Sequence, residues 1–377
     1  MQLLEEQGLP DLDELADEIV GRTERSMRAA IEKIPDGVYR AEGIVEQPEG
    51  RPDVTIKAAV EIKGSDVVVD LAGSSGHVGW GGNVVFNFTY AYVFMAIKSM
   101  LDPDMPNNDG CSRPIRLRAP EATVVNCKFP VAVAARMQIG HFLTEIVYRA
   151  LAPALPDRVI AGSGGTPATM NVFYGKRADG KPWHSVIIRG GGMGAGSARD
   201  GDYVYIFPAN GANTPVEIFE SDTPLLVERR ELLPDSGGPG RNRGGLGRRE
   251  VLRVPDDGYA PQPPVNLGIQ SGRFRYPPDA LAEGRPGALA QFLVNGRSGN
   301  PYGLTQLQPG DVVVMDAAGG GGYGDPLTRN PEAVAADVAD GVVLDPVSFR
   351  VDVAKTAELR RARLSLAGHA STMPPRQ

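Results

Sequence analysis

The chain has 377 residues, with 39 Lys and Arg against 46 Asp and Glu, a formal net charge of −7. That acidic balance argues against a sequence-independent nucleic-acid binder, which needs a basic stripe; the basic clusters are confined to residues 241–243 and 360–363. Two cysteines, Cys111 and Cys127, exclude a disulfide framework and multi-cysteine zinc motifs, and with an acidic first 20 residues and no apolar run of membrane-spanning length they lead to the expectation of a cytoplasmic chain with no membrane or nucleic-acid partner.

The first predicted element is a long amphipathic helix. Asp11 and Glu14 have capping-box spacing, and Leu12, Leu15, Ala16, Ile19, Met27, Ala30, Ile31 and Ile34 form one stripe over about six turns, stopped at residues 35–37. A strand pair follows: Val54, Ile56, Ala58, Val60 and Ile62 alternate, residues 64–66 turn, and Val67, Val69 and Leu71 alternate again. Residues 85–100 are apolar nearly all round and predict a helix buried on most faces; a third helix is predicted over 138–152, with Ile139, Phe142, Leu143, Ile146, Val147 and Ala150 on one face.

Beyond residue 157 the helical period fades. Short apolar runs at 185–188, 203–207, 225–227 and 311–315 lie between Gly and Pro clusters, a pattern of many strands. The chain's 47 Gly and 32 Pro are about a fifth of its residues, against roughly 12% in an average protein. A short last helix is predicted after Asn330-Pro331, and the tail from Gly368 is expected to be disordered. The expected fold class is α+β: a mixed α/β region over 1–155, a β-rich, Gly/Pro-loop-rich region over 156–328, and a short helix with a tail over 329–377.

The candidate chemistry sits in loops. Residues 189–196 follow an apolar run as a phosphate loop would, but the spacing misses the third glycine of a dinucleotide fingerprint, and no G-x-x-x-x-G-K-[ST] occurs. Gly191, Gly192, Met193 and Gly194 either offer backbone N–H groups to a ligand or mark a tight crossing of strands. Residues 234–247 carry Arg241 and Arg243, a fork suited to a carboxylate or phosphate, unless Asp235 pairs with one of them and holds the loop shut. Residues 319–326 repeat the glycine pattern, with a structural role favoured. His141 and Glu145, four apart, are either an exposed pair or two metal ligands lacking a third, and the exposed pair is preferred. Ser163 lies in an imperfect nucleophile elbow with no acid-then-histidine order after it, so a self-contained triad is not expected.

Five ordered segments together carry a resemblance: residues 101–114 (LDPDMPNNDGCSRP), 190–195 (GGGMGA), 213–217 (NTPVE), 234–245 (PDSGGPGRNRGG) and 319–326. With Arg25-Ser26-Met27-Arg28-Ala29-Ala30 and Pro35-Asp36-Gly37 of the first helix, they resemble the hydantoinase B / 5-oxoprolinase family. The resemblance implies a B-type subunit of an ATP-dependent cyclic-amide hydrolase, or of a related acetone or acetophenone carboxylase, with ATP bound by an A-type partner. It adds Asn213, Thr214, Glu217 and Asp235 to the substrate-pocket candidates. It also implies that the match is to the carboxy-terminal two thirds of a B-type subunit. The divalent-metal ligands are then expected in an amino-terminal region outside this match, the chain being a fragment, a split-gene product or a truncated gene whose front half is separately encoded, leaving no cofactor bound by this chain alone. Two departures stand out: residues 134–141 lack an expected Gly/Asn-rich stretch, and a longer helix is expected between Asp340 and Gly341. The competing class is a non-catalytic assembly module, since the stripe from Leu12 to Ile34 needs a covering surface.

Overall fold

The computed structural model describes residues 4, 6, 8, 11–47, 50–167 and 169–343, which fall into two compact units: Met1–Val45 with Pro52–Val159, and Glu46–Arg51 with Ile160–Gln377. Helices and mixed sheets make the fold α+β. The expected tail lies outside the described residues.

In the first unit, helix α1 (Asp13–Ile31) leads into a four-stranded sheet, order β1-β2-β3-β4. Its strands are β1 (Gly37–Val45), β2 (Val54–Lys63), β3 (Asp66–Asp70) and β4 (Ile115–Arg118); the last pair is parallel, the rest antiparallel. The alternation read in β2 holds: Val54, Ile56, Ala58, Val60 and Ile62 are all buried. β1, weakly patterned, was not predicted. Between β3 and β4 run α2 (Phe86–Leu101) and α3 (Asp109–Ser112); α4 (Met137–Gly140) and α5 (Phe142–Leu151) follow β4. α5 lies on β1 and β2, close enough that a Cβ at Gly43 would strike the Ile146 side chain.

Four expectations change here. The capping box does not form: the N-cap is Leu12, without a side-chain cap, and the Asp11 carboxylate accepts from the Asp13 N–H at 2.9 Å. The α1 stripe is covered only at its end, where Met27, Ile31 and Ile34 are buried, while Leu12, Leu15 and Ile19 stay 43–48% exposed. α2 buries Thr89, Val93, Ala96, Ile97 and Met100 but leaves Phe86 39% exposed. The helix predicted over 138–152 exists as α4 and α5, divided at His141, and its predicted face is buried throughout.

The second unit is built on two antiparallel sheets. One has the order β11-β10-β13-β8-β7, with β7 (Leu226–Leu232), β8 (Arg248–Arg253), β10 (Gln291–Val294), β11 (Arg297–Ser298) and β13 (Val312–Asp316). The other has the order β12-β9-β5-β6, with β5 (Thr169–Lys176), β6 (Pro182–Arg189), β9 (Gln262–Gln270) and β12 (Leu304–Leu307). Phe173, Ile187, Val265 and Leu267 from one and Leu252, Phe292, Val313 and Met315 from the other form a single core, the packing of a β-sandwich. Phe219 of α6 (Val216–Asp222) joins it, with its ring centroid 6.2 Å from that of Phe173. The run at 203–207 is not a strand; it makes only isolated bridges, Gly191↔Tyr205 and Ile206↔Gly211. α7 (Pro331–Ala339) starts where its sequence announces it, the Asn330 side chain accepting from Glu332 N–H at 2.8 Å, and Gly341 at φ +68° follows its end.

Candidate functional site

The glycine segments of the second unit meet one another. Gly164 N–H donates to Gly192 O (2.7 Å), Gly192 N–H to Ala318 O (2.9 Å), Gly245 N–H to Met193 O (2.8 Å) and Gly320 N–H to Gly245 O (2.9 Å). A Cβ at Gly192 would overlap the carbonyl of Gly245, and one at Gly319 that of Ser236. The N–H groups of Gly192, Met193 and Gly194 are therefore committed, to Ala318 O, Asp202 O and Ser163 Oγ, and Gly191 O accepts from Tyr205. Of the two roles open to this segment, the bonds of residues 192–194 are those of a tight backbone crossing.

Of the arginine fork, Arg243 is committed within the fold and Arg241 is exposed. Arg243 is 2% exposed; it donates from Nε and Nη2 to Asp337 (3.2 and 3.1 Å) and from Nη2 to the Tyr203 hydroxyl (2.7 Å), stacking over that ring. Arg329 ties Asp337 to Asp200 (2.8 and 2.6 Å), locking α7 down. Burial would raise Asp200, but its bonds to Arg329 and Arg243 hold it below the usual carboxylate range. Arg241 is exposed and donates to Ser197 O (3.0 Å). Neither of these two arginines bonds Asp235 in the contacts described. Asp235, at φ +58°, instead lines an open cleft of about 400 Å3 with Ser236, Leu289, Gln291 and Asp316.

The remaining candidates lead to a cluster that sequence reading missed. Asn213 Oδ1 accepts from Arg248 Nη1 (2.7 Å), and the Thr214 carbonyl accepts from Arg230 Nη1 (2.6 Å); Glu217 is exposed on α6 and joins neither. Arg248 and Glu250 stand two apart on β8, and Arg230 is the register partner of Glu250 on β7, so the three share one face. Arg230 grips Glu250 Oε1 (2.8 and 2.6 Å), and Arg189 of β6 approaches Oε2 at 3.4 Å. With its amide oxygen turned to the guanidinium, Asn171 accepts from Arg189 Nε and Nη2 at 3.1 and 2.5 Å. Burial opposes ionisation of Glu250, yet the three arginines hold its carboxyl below the ordinary range, while burial pushes Arg248 down to about 10. The only sequence signal was charge on inward positions of an alternating strand, RREVLR.

His141 and Glu145 are buried, not exposed, because α5 is covered on nearly every side; burial pushes His141 down to about 4, leaving it neutral at pH 7. Ser163 is fully buried beneath Gly194 N–H; His77 and His184 lie on the surface. Both cysteines are buried free thiols. Among the described residues no group of three or more His, Cys, Asp or Glu has metal-binding geometry, and no helix is long and apolar enough to cross a membrane.

A family model for hydantoinase B/oxoprolinase matches residues 1–326. The chain belongs to that family. It is 30% identical over 395 residues to the B-type subunit of a putative D-/L-hydantoinase from Pseudomonas sp. (strain NS671), covering 96% of this chain and 64% of that one. It is 29% identical to the beta subunit of the caprolactamase of Pseudomonas jessenii, covering 91% and 61%. The crystal structure of the ATP-dependent caprolactamase from Pseudomonas jessenii superposes with a TM-score of 0.79 at 27% identity, covering 91% of this chain and 61% of that one. A nucleotide-free acetone carboxylase shares the fold (TM-score 0.76, 20% identity) over 93% of this chain and 55% of that one. The chain thus spans under two thirds of the length of these relatives.

Proposed function

We propose that this member of the hydantoinase B/oxoprolinase family works as the B-type component of an ATP-dependent enzyme that opens a cyclic amide, alongside an A-type subunit that binds ATP. The observation that carries this reading is the likeness to the ATP-dependent caprolactamase, by fold and by the 29% identity to its beta subunit. The chemistry asks for two things that this reading assigns to other components. An amide has a poor leaving nitrogen and a weakly electrophilic carbonyl, so it needs activation by phosphoryl transfer and a water made nucleophilic by a metal. In this reading ATP and metal are held by the A-type partner and by an amino-terminal B region. The described residues contribute a wall: the hydrogen-bonded backbone crossing, and the Asn213-Thr214 loop braced by two arginines.

The test is coupled ATP turnover with the purified chain, an A-type subunit and an amino-terminal B region combined. Ring opening of 5-oxoproline, a hydantoin or caprolactam that requires all components is the expected result. Full-rate turnover by this chain alone with ATP and a divalent cation would overturn the division of labour. A second reading, a carboxylase subunit, draws on 25% identity over 97% of the chain to the acetophenone carboxylase delta subunit of Aromatoleum aromaticum; turnover only with a ketone and bicarbonate would select it.

A further inference from the structure

The five-stranded sheet of the second unit ends on β7, and the chain leaves the described residues beside it. β7 pairs with β8 on one side only, and among the described residues no main-chain group beyond β8 bonds residues 229–232. Leu232 is the register partner of the buried Arg248 and so stands on the inward face, yet it is 41% exposed. At the start of β7 the edge is already taken, since Val227 N–H donates to Glu220 Oε1 of α6 at 2.7 Å. The open edge is therefore at residues 229–232. After α7 the chain runs towards it. Asp337 lies on Arg243 (3.1 Å), the Val342 carbonyl accepts from Asp235 N–H (3.0 Å), and Val342 and Val343 pack on Leu246. Residues 337–343 thus follow residues 243–246 in their own direction, which is the direction of β8 and antiparallel to β7.

We propose that residues 344–353, which lie outside the described residues, add a sixth strand to this sheet, antiparallel to residues 229–232 of β7. Val347, Phe349, Val351 and Val353 alternate with Ser348, Arg350 and Asp352, the period of a strand with one apolar face. The charges choose both direction and register. Arg229 and Glu231 share the outward face of β7, with side chains 66% and 48% exposed. Antiparallel pairing sets Arg350 opposite Glu231 and Asp352 opposite Arg229, whereas parallel pairing sets like charges together. In the antiparallel register Phe349 falls beside Leu232 and covers it, and residues 344–348 span the gap from Val343. The occupant of the edge is a segment of the same chain, already tied down next to it, so docking closes only a short loop. It also covers a strand edge that would otherwise be open to another chain. The added strand stands apart from the proposed ring opening, since it needs neither partner nor substrate.

Hydrogen exchange read by mass spectrometry compares the full chain with a chain ending at Val343. In the full chain the outward amides of residues 229–232 should exchange about tenfold more slowly than in the shortened one, and residues 347–353 should be protected as well. Glu231→Arg alone should speed exchange of both segments several-fold, and Arg350→Glu added to it should restore protection, a reversal that general destabilisation would not give. If the shortened chain does not fold, Phe349→Asp in the full chain takes its place and should release both segments. Rapid exchange of residues 229–232 in the full chain, or equal protection in the two chains, would overturn the added strand. Equal protection that falls on dilution would assign the edge to a second copy, and equal protection that survives dilution to the described residues themselves.

Discussion

The first unit buries side chains; the second buries backbone and charge. Around β2 and α5 the interior is Val, Ile, Leu and Phe at strand and helix spacings, as an amphipathic pattern requires. The second unit has an apolar sandwich core too, but beside it glycine segments cross with main chain against main chain, and charged clusters form on the buried carboxylates of Glu250 and Asp337. The lesson is about tolerance. An apolar core loses stability in proportion to what is removed, whereas a backbone crossing has no room for one added methyl group, and a buried ion network suffers when one partner goes.

That contrast can be broken by substitution, most severely first. Gly192→Ala should prevent cooperative folding of the second unit, a loss beyond about 4–5 kcal/mol, because its Cβ would overlap the Gly245 carbonyl. Gly258→Ala, with nothing within 4 Å, should stay within about 0.5 kcal/mol in the same urea titration. Next, Asp337→Ala removes the carboxylate nearest Arg243 and leaves Arg329 with Asp200 alone, and should cost about 3–5 kcal/mol by urea unfolding; a cost under 1 kcal/mol would show that the network is not holding α7. In the first unit Leu143→Ala should cost about 2–5 kcal/mol and leave the chain folded.

A pH titration sharpens the comparison from the other side. Unfolded, His141 takes a proton near pH 6.5; folded, its burial beside the Tyr92 ring (5.1 Å) delays this to about 4. Acidification through that window therefore favours the unfolded chain, by about 3 kcal/mol in all, with nothing lost above pH 6.5. His141→Gln should flatten the stability profile between pH 6.5 and 4; an unchanged slope would show that other groups cause it. The smallest effect is expected at the exposed end of α1: Leu15→Gln with Ile19→Gln should shift stability by about 0.5 kcal/mol or less, since both side chains are nearly half exposed.

Legibility followed the same divide. α2, the face of α4 and α5, the β2 alternation and the Asn330 start of α7 are local patterns, and each was readable from spacing. The burial of His141, the exposure of Leu12, Leu15 and Ile19, and the irregular path of residues 203–207 were not, because each depends on what another segment covers. The same holds for the candidate site. Asn213 and Thr214 were singled out, but the arginines and the glutamate beneath them come from β6, β7 and β8.

From its amino acids alone this protein declares its helices, its alternating strands, its glycine-dense second half and the family it resembles, since these are written in residues a few positions apart. Which partner each buried arginine finds was decided only by the fold. Arg243 finds Asp337 at a separation of 94 residues and Arg248 finds Asn213 at 35, and a charge's fate rests on such distant partners rather than on its neighbours in the chain.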